Sequence, residues 1–234
     1  MSVEFPNAIT LWRGAILGGI VSAIDYARSS QFSTFYGWRR NHYIINGGDG
    51  RDGIITFAGG HWLPAAPLVG VFHDIHSEKF VIRNEIELER FFVGCPAYQR
   101  SLAEQEALHY LRLRYDGVLL HRATAVFWDH DGLVASVDSW STLLLNGASL
   151  IENESFDNTE EALRRFQVDH GTSDEQTRFA RNLFERKIAR PAARVWLSAE
   201  EVEWLKSIAL EPKTTEVARD AFREIGIYFP DELK

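Results

Sequence analysis

The sequence predicts an α+β fold: an antiparallel sheet built from two related strand-turn-strand-helix units, followed by a C-terminal helical subdomain. Three observations point there. Val71-Phe72-His73-Asp74 and Val126-Phe127-Trp128-Asp129 share one shape at an offset of 55 residues, and that offset also carries Glu106-Ala107-Leu108 onto Glu161-Ala162-Leu163. Short β-branched and aromatic runs alternate with Gly and Asp turns through the first two thirds of the chain. From Ser173 onward, capping signals and proline breaks replace strand patterning. The expected boundaries are a sheet domain over 1–172, with units at about 54–113 and 118–170, and a helical subdomain over 173–234.

In chain order, Trp12 to Arg28 reads as a helix, with Gly14 and Gly18 four apart for close packing. Ser29 to Gly37 reads as a connection. His42 to Ile45 and Ile54 to Phe57 read as strands joined by Gly47 to Gly53. That Gly-rich loop has a strand behind it and no Lys, so it is a hairpin turn and not a phosphate cradle. Leu68 to His73 and Phe80 to Arg83 are the next strands. A helical stretch from Glu85 ends at Gly94 and Pro96. Ser101-Leu102-Ala103-Glu104 has capping-box spacing and opens a helix to about Leu113. Val118 to Leu120, Thr124 to Trp128 and Leu133 to Val137 are strands, with Asp131-Gly132 as a hairpin signal. Ser139 to Leu145 is a short helix stopped by Asn146-Gly147. Asn158 opens another helix, and Ser173 and Ser198 open two more. Pro212 ends the helix begun at Ser198, and Thr215 to Ile225 is the final one.

Composition narrows the function. The hydrophobic fraction is 45% and the net charge −8. Neither half of the chain is basic, which excludes an electrostatic footprint for nucleic acid. Cys95 stands alone, so no intrachain disulfide or cysteine-based zinc site is possible, and a reducing cytosol fits. Arg outnumbers Lys by 20 to 5, a bias we read as that of a GC-rich bacterial genome. Met1 to Asn7 lacks the basic start of a secretory signal. Arg13 and Asp25 interrupt the most apolar run, so no membrane span is expected.

Two chemistries compete. Asp74 and His76 share one face of a strand, as do Asp129 and Asp131. Two units related by a pseudo-two-fold could bring all four together as a divalent-metal site that activates water for hydrolysis. His73-Asp74 also spells the ligand pair of HD phosphohydrolases, but that family presents it on helices, whereas here a strand precedes it. No Gly-x-Ser-x-Gly elbow is present, and Cys95 beside Pro96 reads as an incidental thiol. Against the metal stands a binding role. Phe35, Tyr36, Trp38, Tyr43 and Trp62 crowd one third of the chain, and buried aromatics anchor interfaces. Trp38 and Trp62 are the candidate anchors.

In acidity and size the chain resembles small bacterial accessory proteins such as immunity proteins that neutralise toxins. That resemblance implies a cytosolic, non-enzymatic protein whose acidic surface covers a basic partner, with no cofactor. The metal-dependent hydrolase is the alternative, and oligomeric state is left open.

Overall fold

One antiparallel sheet holds six strands side by side: β1 (Phe35–Arg39), β2 (His42–Asn46), β3 (Arg51–Phe57), β4 (Leu68–Asp74), β7 (Ala125–His130) and β8 (Leu133–Ala135). The computed structural model describes residues 5–29, 35–79, 88–115, 118–152 and 158–233. Among these are seven helices: α1 (Ala8–Arg28), α2 (97–110), α3 (140–152), α4 (Thr159–His170), α5 (Asp174–Ala189), α6 (Ala199–Ile208) and α7 (Pro212–Glu224). β5 (Arg112–Tyr115) and β6 (Val118–His121) form a separate hairpin, while β9 (Val195–Trp196) and β10 (Ile227–Tyr228) form a two-residue parallel pair. The expected strand Phe80 to Arg83 and the helix start at Glu85 lie outside the described residues.

Helices cover both faces of the sheet, and not one as a half-buried sheet would need. Every residue of β4 is buried, so alternation sends apolar side chains both ways. Phe72, Phe127, Ile55 and Phe57 join α1, α3 and the C-terminal helices in the larger core. Ile54, Val69, Val71, Val126 and Trp128 meet α2 and a short 3₁₀ turn at Glu89–Phe92 in the smaller one.

The two stretches that look alike in sequence are neighbours. β4 pairs with β7 in the register Val71↔Val126, and Phe72 and Phe127 face the same layer with ring centroids 5.7 Å apart. Each ring lies over a glycine on the preceding strand. Phe72 opposes Gly53 and Phe127 opposes Gly70. A Cβ on either glycine would sit 2.3 Å from a ring carbon. The ring thus seals a strand position that no side chain could share, the pairing known as aromatic rescue. Beyond the strands the sequence offset fails. Glu106 lies in α2, but Glu161 lies in α4, one helix after α3.

Both sheet edges are covered, which removes the exposed ladder that invites foreign strands. At β8, Asn7 bridges Leu133 and the Ala8 amide donates to the Gly132 carbonyl. At β1, Ser22 Oγ donates to the Tyr36 carbonyl (2.5 Å), and the Arg40 amide just past the strand donates to Glu224 Oε2 (2.6 Å).

α1 is longer than its apolar run suggested because Asn7 caps it, accepting from the Thr10 amide. It is long and apolar enough to cross a bilayer, yet 16 of its residues are buried inside this fold. The tail is helical as expected. Ser173 with Gln176, and Ser198 with Glu201, close capping boxes at α5 and α6. Pro212, expected to break a helix, instead starts α7 at the first position, where a missing N–H costs nothing. β9 and β10 pair only with each other and add nothing to the main sheet. Phe184, Leu205 and Phe222 of the tail share one core with Leu11 to Ile24 of α1.

Asn146-Gly147 ends the first helical stretch of α3 as expected: both leave helical geometry, Gly147 at φ 112°, and a second stretch, Ser149–Glu152, follows the kink. Two local readings are corrected. Ser101 does not cap a helix: α2 starts at Ala97 behind Pro96, so Ser101 is internal. The connection before β2 contains β1.

Candidate functional site

The two expected anchors are not free. β1 alternation turns Tyr36 and Trp38 toward α1. Trp38 is buried, its ring 5.2 Å from that of Phe57, and its Nε1 donates to the Ala15 carbonyl at 2.8 Å. Trp62 is half-buried in the 58–67 connection, with Lys187 Nζ 4.5 Å from its ring centre. Trp38 therefore holds the sheet to α1 and is no surface anchor.

The four candidate metal ligands do not converge. Antiparallel pairing sets Val69 against Trp128 and Phe72 against Ala125. Asp129 then falls opposite Leu68, and Asp74 lies six residues further on, so the carboxylates stand about 20 Å apart at ~3.4 Å per residue. A pseudo-two-fold through Val71 and Val126 sends the two ends apart. Each group does turn chemistry instead. Asp74 Oδ1 accepts from the His76 amide (2.8 Å), and His76 Nε2 approaches the Asp49 carbonyl (3.1 Å). Asp131 and Gly132 both have positive φ, 54° and 82°, as a tight hairpin requires. Among the described residues, no three His, Cys, Asp or Glu side chains gather as a metal set. Burial pushes the Cys95 thiol up to about 12, so it stays protonated and unreactive near neutral pH.

Several buried polar groups escaped sequence reasoning because cross-strand and cross-helix contacts assemble them. His42 Nδ1 meets Thr56 Oγ1 at 2.9 Å, and its Nε2 faces Glu106 Oε2 of α2 at 3.4 Å. Burial, then the nearby Arg40 charge, pushes His42 down to about 4. The imidazole is thus neutral at pH 7 and carries a single N–H: with the proton on Nε2 facing Glu106, Nδ1 accepts from the Thr56 hydroxyl. At the C-terminal ends of α1 and α4, Tyr36 Oη meets His170 Nε2 (2.8 Å), His170 Nδ1 meets Asp25 (3.0 Å), and Arg28 reaches both Asp25 and the His170 carbonyl. This network satisfies the last carbonyls of α4 and ties three elements together.

Lys187 is fully buried, and Nζ donates to the Pro191 carbonyl at 2.8 Å. Burial pushes its ammonium down to about 8. The folded value is below the ordinary 10.5, so the charged form opposes folding, and stability rises as pH climbs from about 8 toward 10.5. Lys187→Met should raise stability at pH 7 by about 1–3 kcal/mol and abolish that alkaline gain. Urea melts at pH 7 and pH 10 check both; a variant weaker than wild type at pH 7 would show that the Pro191 bond outweighs the buried charge.

On the surface, a hollow of about 440 Å³ opens beside the start of α1. Ile9, Thr10, Arg13, Ala65, Gly132 and Thr159 are among its lining residues. Ile9 in that lining is 50% exposed, and Leu133, next in sequence to the lining residue Gly132, is 66% exposed. The Asn7–Leu133 bridge ties the backbone at the start of α1 to β8. No family model matches the chain, and no curated protein or solved structure matches it either.

Proposed function

We propose that this protein is a non-enzymatic binding module, at work in a reducing cytosol, whose partner is a basic protein, in the manner of an immunity protein or inhibitor. The observation that carries the reading is the half-exposed Ile9 in the wall of a hollow large enough for a partner side chain, with exposed Leu133 directly after Gly132 of that wall. Exposed apolar side chains around a concavity are what interface cores are made from. The net charge of −8 supports a basic partner, since a long-range field raises association rates by about 10–10³-fold and fades with salt. A doubled ancestral unit belongs to the same proposal. The Val71–Val126 pairing supports it, while the placement of Glu161 speaks against it.

Tagged wild type and the variants Ile9→Asp and Leu133→Asp, passed over one cell extract, provide the test. A basic protein retained by wild type, lost from both variants and released by salt is the expected result. Capture that is equal in all three sinks the assignment of this surface.

A further inference from the structure

We propose that the 58–67 connection is an acid-released strap, held down by His61 and Trp62 and freed when His61 takes up a proton beside the buried ammonium of Lys187. The strap joins β3 to β4 and lies against α1, β1, α5 and the turn before β10. Its backbone is tied by Trp12 Nε1 to the Gly60 carbonyl (3.2 Å) and by Ala58 N to the Pro67 carbonyl (2.8 Å). His61 is only 8% exposed, with its ring 4.0 Å from that of Trp62 and 6.3 Å, edge-on, from that of Trp38. Across from it stands Gly226. The point a Cβ would occupy there is 2.9 Å from His61 Nε2 and 3.0 Å from Lys187 Nζ. The two nitrogens therefore converge on one dry spot. Only a neutral imidazole can share it with an ammonium.

The charged groups around His61 offer no counterion. From α5 comes Lys187. From α7 comes Glu224, whose backbone lies near the imidazole but whose carboxylate takes the Arg40 amide. From the β1–β2 turn comes Arg40, a further positive charge. β1 contributes Trp38 and α1 contributes Trp12, neither of which titrates. Burial, then the Lys187 charge, holds His61 down to about 3. In a released strap it would return to the ordinary 6.5. The folded value is lower, so docking is intact above pH 6.5 and weakens as pH falls below it. Release would uncover Trp62 and remove Ala65 from the wall of the hollow. The strap stands on its own contacts and does not depend on the binding role proposed above.

Hydrogen exchange of the full chain at pH 7.5 and pH 5, corrected for intrinsic exchange rates, tests this. The opening equilibrium of the strap peptide should rise about 30-fold at pH 5, clearly more than that of the β4 amides. In His61→Phe and in His61→Gln the strap's opening should be the same at both pH values. An equal rise in strap and β4, or an undiminished rise in either variant, would overturn the proposal. If His61→Phe does not fold, His61→Gln decides.

Discussion

Phe127→Ala is expected to destabilise the protein by about 3–5 kcal/mol, a large share of the roughly 5–15 kcal/mol a domain commonly has. The ring is fully buried, stacks on Phe72 and closes the space above Gly70. Removing it opens a cavity and uncovers strand backbone at once. Gly70→Ala should be damaging in the opposite sense, because its Cβ would meet the ring at 2.3 Å. The two changes should therefore be strongly non-additive, with Gly70→Ala tolerated far better once Phe127 is already Ala. A double-mutant cycle from urea melts reads this coupling directly. Additive costs would mean that the ring does not depend on the glycine.

The second large effect is acid lability. His42 is held down to about 4, mainly by burial and then by the Arg40 charge. His73 is held down to about 4, mainly by burial and then by the Arg122 charge. Both point into the face that α2 covers. Folded values below the ordinary 6.5 mean that the unfolded chain binds protons first, so stability falls as pH drops from about 6.5 toward 4. Between pH 7.5 and pH 5 each histidine should cost about 2 kcal/mol, roughly 4 kcal/mol together. Asp52, opposite His73, works the other way: burial raises its carboxyl, so its protonation on acidification favours the fold and trims the loss. Urea midpoints of wild type and His42→Gln at the two pH values provide the measurement. His61, held down to about 3, adds a similar amount on unfolding, so His42→Gln should lose about a third of the pH dependence, and an unchanged dependence would locate the acid sensitivity elsewhere.

What was legible in the sequence was what neighbours along the chain decide. Asn158, Ser173 and Ser198 announced helices because a cap bonds to an amide two or three residues away. The β4 and β7 strands were visible from their apolar runs. Their antiparallel direction was expected, but their pairing was not, since nothing within Val126 to Asp129 records that it lies beside Val71. That one missing fact undid the metal hypothesis. β4 ends at Asp74, so strand alternation does not carry on to His76 in the turn, and the pairing sends Asp129 to the far end. Trp38 was a different failure. Tyr36 and Trp38 at alternate positions were already a strand pattern, and Gly37 between them disguised it. Ser101 mimicked a start because tertiary packing outweighs such local preferences, whereas Asn146-Gly147 was a true stop.

The seal on the outer edge of β1 has a consequence for how the protein is made. Arg40 and Glu224 are separated by 184 positions, and α1 packs against α7, which closes the helical end of the chain. While the ribosome is still delivering the middle of the molecule, the face of α1 that packs on α5 and α7 is uncovered and the Arg40 amide past β1 lacks Glu224. Closure that waits on such distant contacts is slow, and the exposed intermediate is prone to associate with itself. The nascent chain should thus lean on a holding chaperone until α7 has emerged. Ribosome-stalled chains ending before residue 212 should remain protease-sensitive through α1, while full-length ones become resistant.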